Sequence, residues 1–236
     1  MKRIFFAILS LTSVSINAQT ADDVIQKYSK AIGGLADFNA IKTMKTTGTI
    51  TTQGVALALT SQIINGKAIR TDVQAMGQSV INSYKDGKGW KINPFAGITT
   101  VTDMTPEELI DFKSQTMIAS QLMDYKSRGH KVELEGQEDV EGIKTYKIKL
   151  TNKDDNKVTT YFISVTDNII IKSVSTRQLQ GQDIEIETFY SDIKDFNGLK
   201  FPMVRTQKMQ GQVFQEIKIA TIEFNVPIDE KIFDKS

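Results

Sequence analysis

The stretch Met44-Lys45-Thr46-Thr47-Gly48-Thr49-Ile50-Thr51, with Val55-Ala56-Leu57-Ala58-Leu59-Thr60-Ser61-Gln62-Ile63 following Gly54, decides the fold class. Its period is two. Met44, Thr46, Gly48 and Ile50 alternate with Lys45, Thr47, Thr49 and Thr51, and Val55, Leu57, Leu59, Ser61 and Ile63 share one face. Such alternation marks strands with one side turned to a core. Outward from it, Asn65-Gly66 is a hairpin signal before a strand at 69–75; a strand at 80–84 turns at Asp86-Gly87 and returns at 90–92. The same period resumes with Val132 and Leu134, with Tyr146, Ile148 and Leu150, and with Tyr161, Ile163 and Val165. Asp154-Asp155-Asn156 supplies one turn and Asn197-Gly198 another, and strands at 169–175, 184–190, 199–207 and 213–224 complete the series. No linker rich in Pro, Gly or Ser and no repeat interrupts them. The expectation is a mainly β, α+β chain: about ten or eleven antiparallel strands in meander order, in a sheet long enough that it must curl.

Two segments depart from this period. Thr20 is an N-cap followed by Asp22 and Asp23, where the helix dipole favours anions; Val24, Ile25, Tyr28 and Ile32 recur at helical spacing up to Gly33-Gly34. Leu35, Phe38 and Ile41 suggest a second short turn. Later, Thr105-Pro106-Glu107-Glu108 opens a helix expected to run to about Tyr125 and to stop at Gly129. Its apolar residues spread over more than one face, so it reads either as a core helix packed on the sheet or as a movable lid over an apolar cavity. Met104, Met117 and Met123 suit the lid, because unbranched thioethers adapt to varied apolar shapes.

Composition narrows the chemistry. The 236 residues include no Cys and one His, with 29 Lys and Arg against 28 Asp and Glu. Disulfides, thiol catalysis, Cys-based metal sites and lipidation on Cys are thereby excluded, and a lone His supplies no His pair for a metal. A chain without a basic surplus is not built for nucleic acid. The N-terminus has the order of an export signal: Met1-Lys2-Arg3, then apolar Ile4-Phe5-Phe6-Ala7-Ile8-Leu9, then Ile16-Asn17-Ala18 before Gln19. Residues 1–18 are read as a signal peptide cleaved after about Ala18, and 19–236 as a single domain, soluble and periplasmic where the source has two membranes. Losing Lys2 and Arg3 would leave the mature chain near neutrality.

Candidate chemical sites are sparse. His130 follows Gly129 at a helix-to-strand junction, where a surface loop histidine is a better account than a catalytic base. The acid pairs Asp22/Asp23, Glu107/Glu108 and Asp154/Asp155 fall at helix starts or turns, which capping explains. Lys144, Lys147, Lys149, Lys153 and Lys157 read as the solvated side of a hairpin, with contact to anionic headgroups as the alternative. No phosphate-binding Gly-rich loop or nucleophile elbow is present. Neither a catalytic residue, a metal nor a cofactor is expected.

The segment Asp86-Gly87-Lys88-Gly89-Trp90-Lys91-Ile92-Asn93-Pro94-Phe95 resembles the D-G-K-x-x-W…N-P-F segment of periplasmic outer-membrane lipoprotein-sorting proteins, the LolA-like carriers. Residues 190–202, with Asp195, Asn197-Gly198 and Pro202, resemble a late hairpin of Bacteroidetes-type relatives. The motif residues are Asp86, Gly87, Trp90, Asn93, Pro94 and Phe95. The resemblance implies an unclosed antiparallel β barrel whose concave apolar face is covered by helices and receives lipoprotein acyl chains. It also implies an inner-membrane transporter that releases the cargo and an outer-membrane acceptor, with the carrier a monomer. On this reading Leu57, Leu59, Ile148, Leu150 and Ile163 line the cavity from the strands, and Leu109, Ile110, Met117, Ile118 and Leu122 line it from the lid. The arginine by which the family ties sheet to lid has Arg70 as its nearest counterpart. A carrier of another lipid or glycolipid, a structural or adaptor β domain, and a hydrolase using His130 are the other readings of the same residues.

Overall fold

The computed structural model describes residues 19–179 and 182–235; the expected signal peptide lies outside the described residues. Alternation along the chain builds thirteen strands among them: β1 Thr43–Thr52, β2 Val55–Ile64, β3 Ala68–Ala75, β4 Gln78–Lys85, β5 Lys88–Asn93, β6 Ile98–Asp103, β7 Lys131–Val140, β8 Ile143–Thr151, β9 Val158–Ser164, β10 Ile170–Leu179, β11 Gln182–Phe196, β12 Leu199–Met209 and β13 Gln212–Phe224. They form one antiparallel sheet in the order β6-β5-β4-β3-β2-β1-β13-β12-β11-β10-β9-β8-β7. The count exceeds the expected ten or eleven. Twelve of the thirteen fall on segments read as strands from the sequence, and β6 does not, because Ile98 and Val101 are three apart, a spacing that period two does not catch.

The strand order has a consequence for the helices. β1 pairs with β13 in the middle of the sheet, so β1–β6 run outward to one edge and β7–β13 return from the other. Edge strands β6 and β7 do not pair with each other, and the sheet stays unclosed. The segment joining them crosses from edge to edge.

That segment is not the single helix its apolar content suggested. It holds α3 Pro106–Gln115, an irregular stretch, and the short α4 Tyr125–Arg128. Thr105 starts α3 as expected and forms a capping box with Glu108, and Gly129 in the left-handed region (φ 75°) closes α4. The helix stops early because the Thr116 hydroxyl turns back to the Lys113 carbonyl and the Ile118 N–H leaves the helical ladder for the Asn65 side chain. At the other end of the chain, α1 Ala21–Ile32 is capped by Thr20 and Asp23 and buries Val24, Ile25, Tyr28 and Ile32, and α2 Leu35–Ala40 follows it.

Both helical regions pack on one face of the sheet. Under α1 the core joins Ile148, Leu150, Ile163 and Phe201 to Phe38, Ile41, Ala119, Leu122 and Met123. A smaller cluster of Ile63, Ile69 and Tyr84 lies under α3, covered by Leu109, Phe112 and Ile118. Where the two halves of the sheet meet, the β1–β13 register shifts between Thr47 and Gly48. Only glycine fits there, since a Cβ on Gly48 would enter the Lys218 carbonyl oxygen.

Candidate functional site

Antiparallel partners share a face, so the register identifies the whole inner surface. Ile63 pairs with Met44 and Ile69, and Ile69 with Tyr84, which places this row beneath α3. Four and six residues before Ile63 on β2, Leu59 and Leu57 point to the same side. Gly48 and Val73 pair with Leu59, Val80 with Val73, and Ile50 with Leu57 and Ile217. Ile50, Leu57, Leu59, Val73, Val80 and Ile217 are only part-buried, and none belongs to either helix-covered cluster. The inner face therefore has two parts: one roofed by helices, and one apolar and open, toward the hairpin ends of β1–β4.

The expected cavity residues divide between these parts. Leu57 and Leu59 lie on the open part. Ile148, Leu150 and Ile163 are 0–1% exposed beneath α1, as core rather than as cavity lining. On the roof, Leu109, Ile110, Met117 and Ile118 are part-buried, and Leu122 is fully enclosed. The structure brings the roof residues Leu109 and Ile118 against strand residues Ile63, Ile69 and Tyr84.

The roof is tied down by residues that the sequence offers only as turn, cap or surface residues. Asn65 Nδ2 donates to the Ile41 carbonyl at 2.8 Å while its Oδ1 accepts the Ile118 N–H at 3.2 Å, and the Gly66 N–H donates to Thr116 at 3.0 Å. Charged ties lie at the periphery. Lys157 reaches Glu107 at 3.1 Å and Asp111 at 3.2 Å, Lys91 meets Glu108, and Lys126 meets Asp22 at 2.6 Å. The Lys126 ammonium and Tyr125 hydroxyl hold the Asp22 carboxyl below its usual range. Inside the stretch, Asp124 and Arg128 pair with side chains only 9% and 15% exposed. Their i,i+4 spacing on an acid and a base was the available signal. Burial pushes the Tyr28 phenol up to about 12 and raises Tyr161, so both hydroxyls stay neutral beneath α1.

The motif residues do not face this site. Trp90 pairs with Ser83, and Ser83 with Arg70, on the outer face of the sheet. There the C-terminal 3-10 turn Glu230–Phe233 is clamped: Trp90 Nε1 donates to the Phe233 carbonyl at 2.8 Å, Ser83 donates to the same oxygen at 3.0 Å, and Arg70 donates to the Ile232 carbonyl at 2.6 Å. Asp72 orients the Arg70 guanidinium, which also lies 5.5 Å from the Trp90 ring centroid. Arg70 thus cannot latch the roof; it anchors the tail on the opposite side. Asp86-Gly87 forms the β4–β5 turn with both φ positive, and Asn93 caps the 3-10 turn Pro94–Ala96, leaving Phe95 exposed.

His130 has a structural partner. Its Nδ1 accepts the Lys153 N–H at 3.1 Å, and burial, then the Arg128 charge, lowers its pKa. Lys147 and Lys149 are matched by Glu135, Glu138 and Glu133 across the β7–β8 pair. Among the described residues no group of three His, Asp or Glu side chains could hold a metal ion, and no helix is long and apolar enough to cross a membrane.

Known proteins of similar shape are numerous. A LolA superfamily protein from Nitrosomonas europaea superposes with a TM-score of 0.59 at 11% identity, covering 92% of this chain and 99% of that one. An outer membrane lipoprotein-sorting protein domain from Vibrio parahaemolyticus gives 0.60 at 11% identity, over 91% and 97%. The chain has the LolA-like fold. A DUF1329 family protein from Desulfovibrio piger shares the LolA-like fold to the same degree, with a TM-score of 0.59 at 11% identity over 91% and 97%. No protein-family model matches the sequence, and no curated protein matches it.

Proposed function

We propose that the protein is a periplasmic carrier that binds the acyl chains of lipoproteins on its apolar inner face and moves them from inner to outer membrane. The observation that carries this reading is the open apolar strip of Ile50, Leu57, Leu59, Val73, Val80 and Ile217 beside a helical roof. An ordinary sheet-and-helix core would be covered throughout. Export by residues 1–18 and a monomeric mature chain of 19–236 belong to the same proposal. So do an inner-membrane releasing transporter and an outer-membrane acceptor as partners.

Energetics explain why such a carrier is needed. Burial of a methylene is worth about 0.8 kcal/mol, so three acyl chains carry on the order of 30 kcal/mol of apolar transfer energy. A lipoprotein does not leave a bilayer at a useful rate without an apolar surface to receive it. No step in this reading makes or breaks a covalent bond, and His130 is left to its turn. Tyr28 and Tyr161, held neutral by burial at α1, cost the apolar interior no buried charge.

Mass spectrometry of gently purified protein under native conditions tests the proposal. Co-purified diacyl or triacyl lipopeptides support it. A different lipid or glycolipid would reassign the cargo, and a consistently empty inner face would turn the reading to a structural or adaptor domain.

A further inference from the structure

Strand direction alternates, so the reversals after β1, β3 and β5 stand at one end of the sheet, about 10 Å from one to the next. They are Gln53-Gly54, Met76-Gly77 and the turn Pro94–Ala96. Charge is missing from all three: residues 46–66, 73–84 and 92–102 contain no Asp, Glu, Lys, Arg or His. Instead each presents an apolar side chain to solvent, Val55 at 49%, Met76 at 86% and Phe95 at 55% exposure.

Met76 is an outlier on local grounds. Among the described residues, the non-glycine positions with positive φ are Asn, Asp, Gln or Glu apart from Met76 (φ 49°). Polar residues suit such turns because they tolerate the left-handed conformation and face water. A methionine there gains nothing from the turn and buries nothing. Phe95 is likewise held out by a built turn, in which Asn93 Oδ1 accepts the Ala96 N–H at 3.3 Å and Gly97 takes φ 77°. The open inner face starts at this rim: Leu57 lies two residues from Val55, and Val73 and Val80 flank the Met76 turn.

We propose that these three tips form an edge that docks on the neutral interface of a lipid bilayer, with the mouth of the inner face turned to the acyl region. The proposal deepens the carrier reading above and rests on it. Charge selects the occupant. A surface built for anionic lipid carries clustered Lys and Arg, which these tips lack. The same end of the sheet also presents Asp183, Glu185 and Glu187 beside the Gln210-Gly211 turn, which an anionic surface would repel. Thr and Gln side chains around the apolar tips match the hydrogen-bonding carbonyl zone of zwitterionic lipid, and Met and Phe suit shallow insertion.

Flotation of the purified full chain with phosphatidylcholine–phosphatidylethanolamine vesicles tests the edge. The expected result is co-flotation that high salt does not reduce, with M76D and F95D each lowering it about tenfold. Asp is at home at positive φ, so M76D should leave the unfolding midpoint unchanged. Binding of a fluorescent fatty acid, measured without vesicles, separates the two readings. A chain that loads the probe but does not float overturns the docking edge alone, and one that floats but never loads overturns the carrier. Variants that float like the parent, binding confined to anionic vesicles, or self-association through the tips would each overturn the proposal.

Discussion

Asn65 holds Ile118. Its side-chain oxygen accepts the Ile118 N–H while its amide nitrogen donates to the Ile41 carbonyl, so one side chain joins the roof, the β2–β3 turn and the end of α2. Replacing it with Ala strands a part-buried donor and acceptor. The expected cost is about 1–3 kcal/mol. Amide hydrogen exchange should accelerate in residues 116–123 before it does in β8 or β9. Uniform acceleration across the sheet would show that Asn65 merely stabilises its own turn.

How much of this was legible in the sequence follows from how each feature is encoded. Strand existence is written in period two along a single strand, and Leu57 with Leu59, or Ile148 with Leu150, announced their elements correctly. Which inner residues stay open is not local. Leu59 and Ile148 have the same pattern, and only the placement of α1 over β8 and β9 separates them. Trp90 and Arg70 were legible as unusual residues, but their face depends on pairing with Ser83, which no local pattern reveals. Asn65 looked like a turn residue and is one. Its second role needed a partner 53 positions away.

The division of the inner face predicts opposite outcomes for two leucine-sized residues. Ile148→Ala removes a fully enclosed side chain and should cost about 2–5 kcal/mol. Leu59→Asp, on the open part, should lose less than about 2 kcal/mol yet abolish fatty-acid loading. Ile118→Asp should also block loading, by charging the underside of the roof. Denaturant unfolding and probe titration on the same preparations compare the three. Normal loading by Leu59→Asp would place the ligand elsewhere.

The tail clamp has a built-in reporter, because Trp90 is the only tryptophan and is 4% exposed. Arg70→Met removes the donor to the Ile232 carbonyl and leaves the Asp72 carboxylate without its partner. Trp90 emission is expected to shift to longer wavelength as the Glu230–Phe233 turn lifts. Loading of the inner face should be unaffected, since the clamp lies on the other side. Coupled loss of loading would show that the two faces communicate through β3 and β4.

Gly48 sets a limit on the junction between the halves. Its position at the register shift brings the β13 backbone so close that any Cβ meets the Lys218 carbonyl oxygen. Gly48→Ala should therefore destabilise by about 1–3 kcal/mol, against the usual gain of replacing glycine in a strand. Equilibrium unfolding checks it, and a neutral or stabilising effect would mean that β1 and β13 separate easily.

His130 makes stability fall in mild acid. As an acceptor for the Lys153 N–H its Nδ1 must be unprotonated, and burial followed by the Arg128 charge lowers its folded pKa below the ordinary 6.5. The unfolded chain therefore binds the proton more readily than the folded one. The histidine's contribution is complete above about pH 6.5 and is lost as pH falls through the folded value. It should be under about 1 kcal/mol, because the ring is only part-buried and solvent still screens it. Thermal unfolding midpoints measured from neutral pH down to about pH 5.5 should decline in the parent and stay flatter in His130→Ala. Parallel declines in both proteins would show that protonation of His130 is not what lowers stability, since the carboxylates that tie the roof, Asp22 and Glu108, have lowered pKa values and stay ionised over this range.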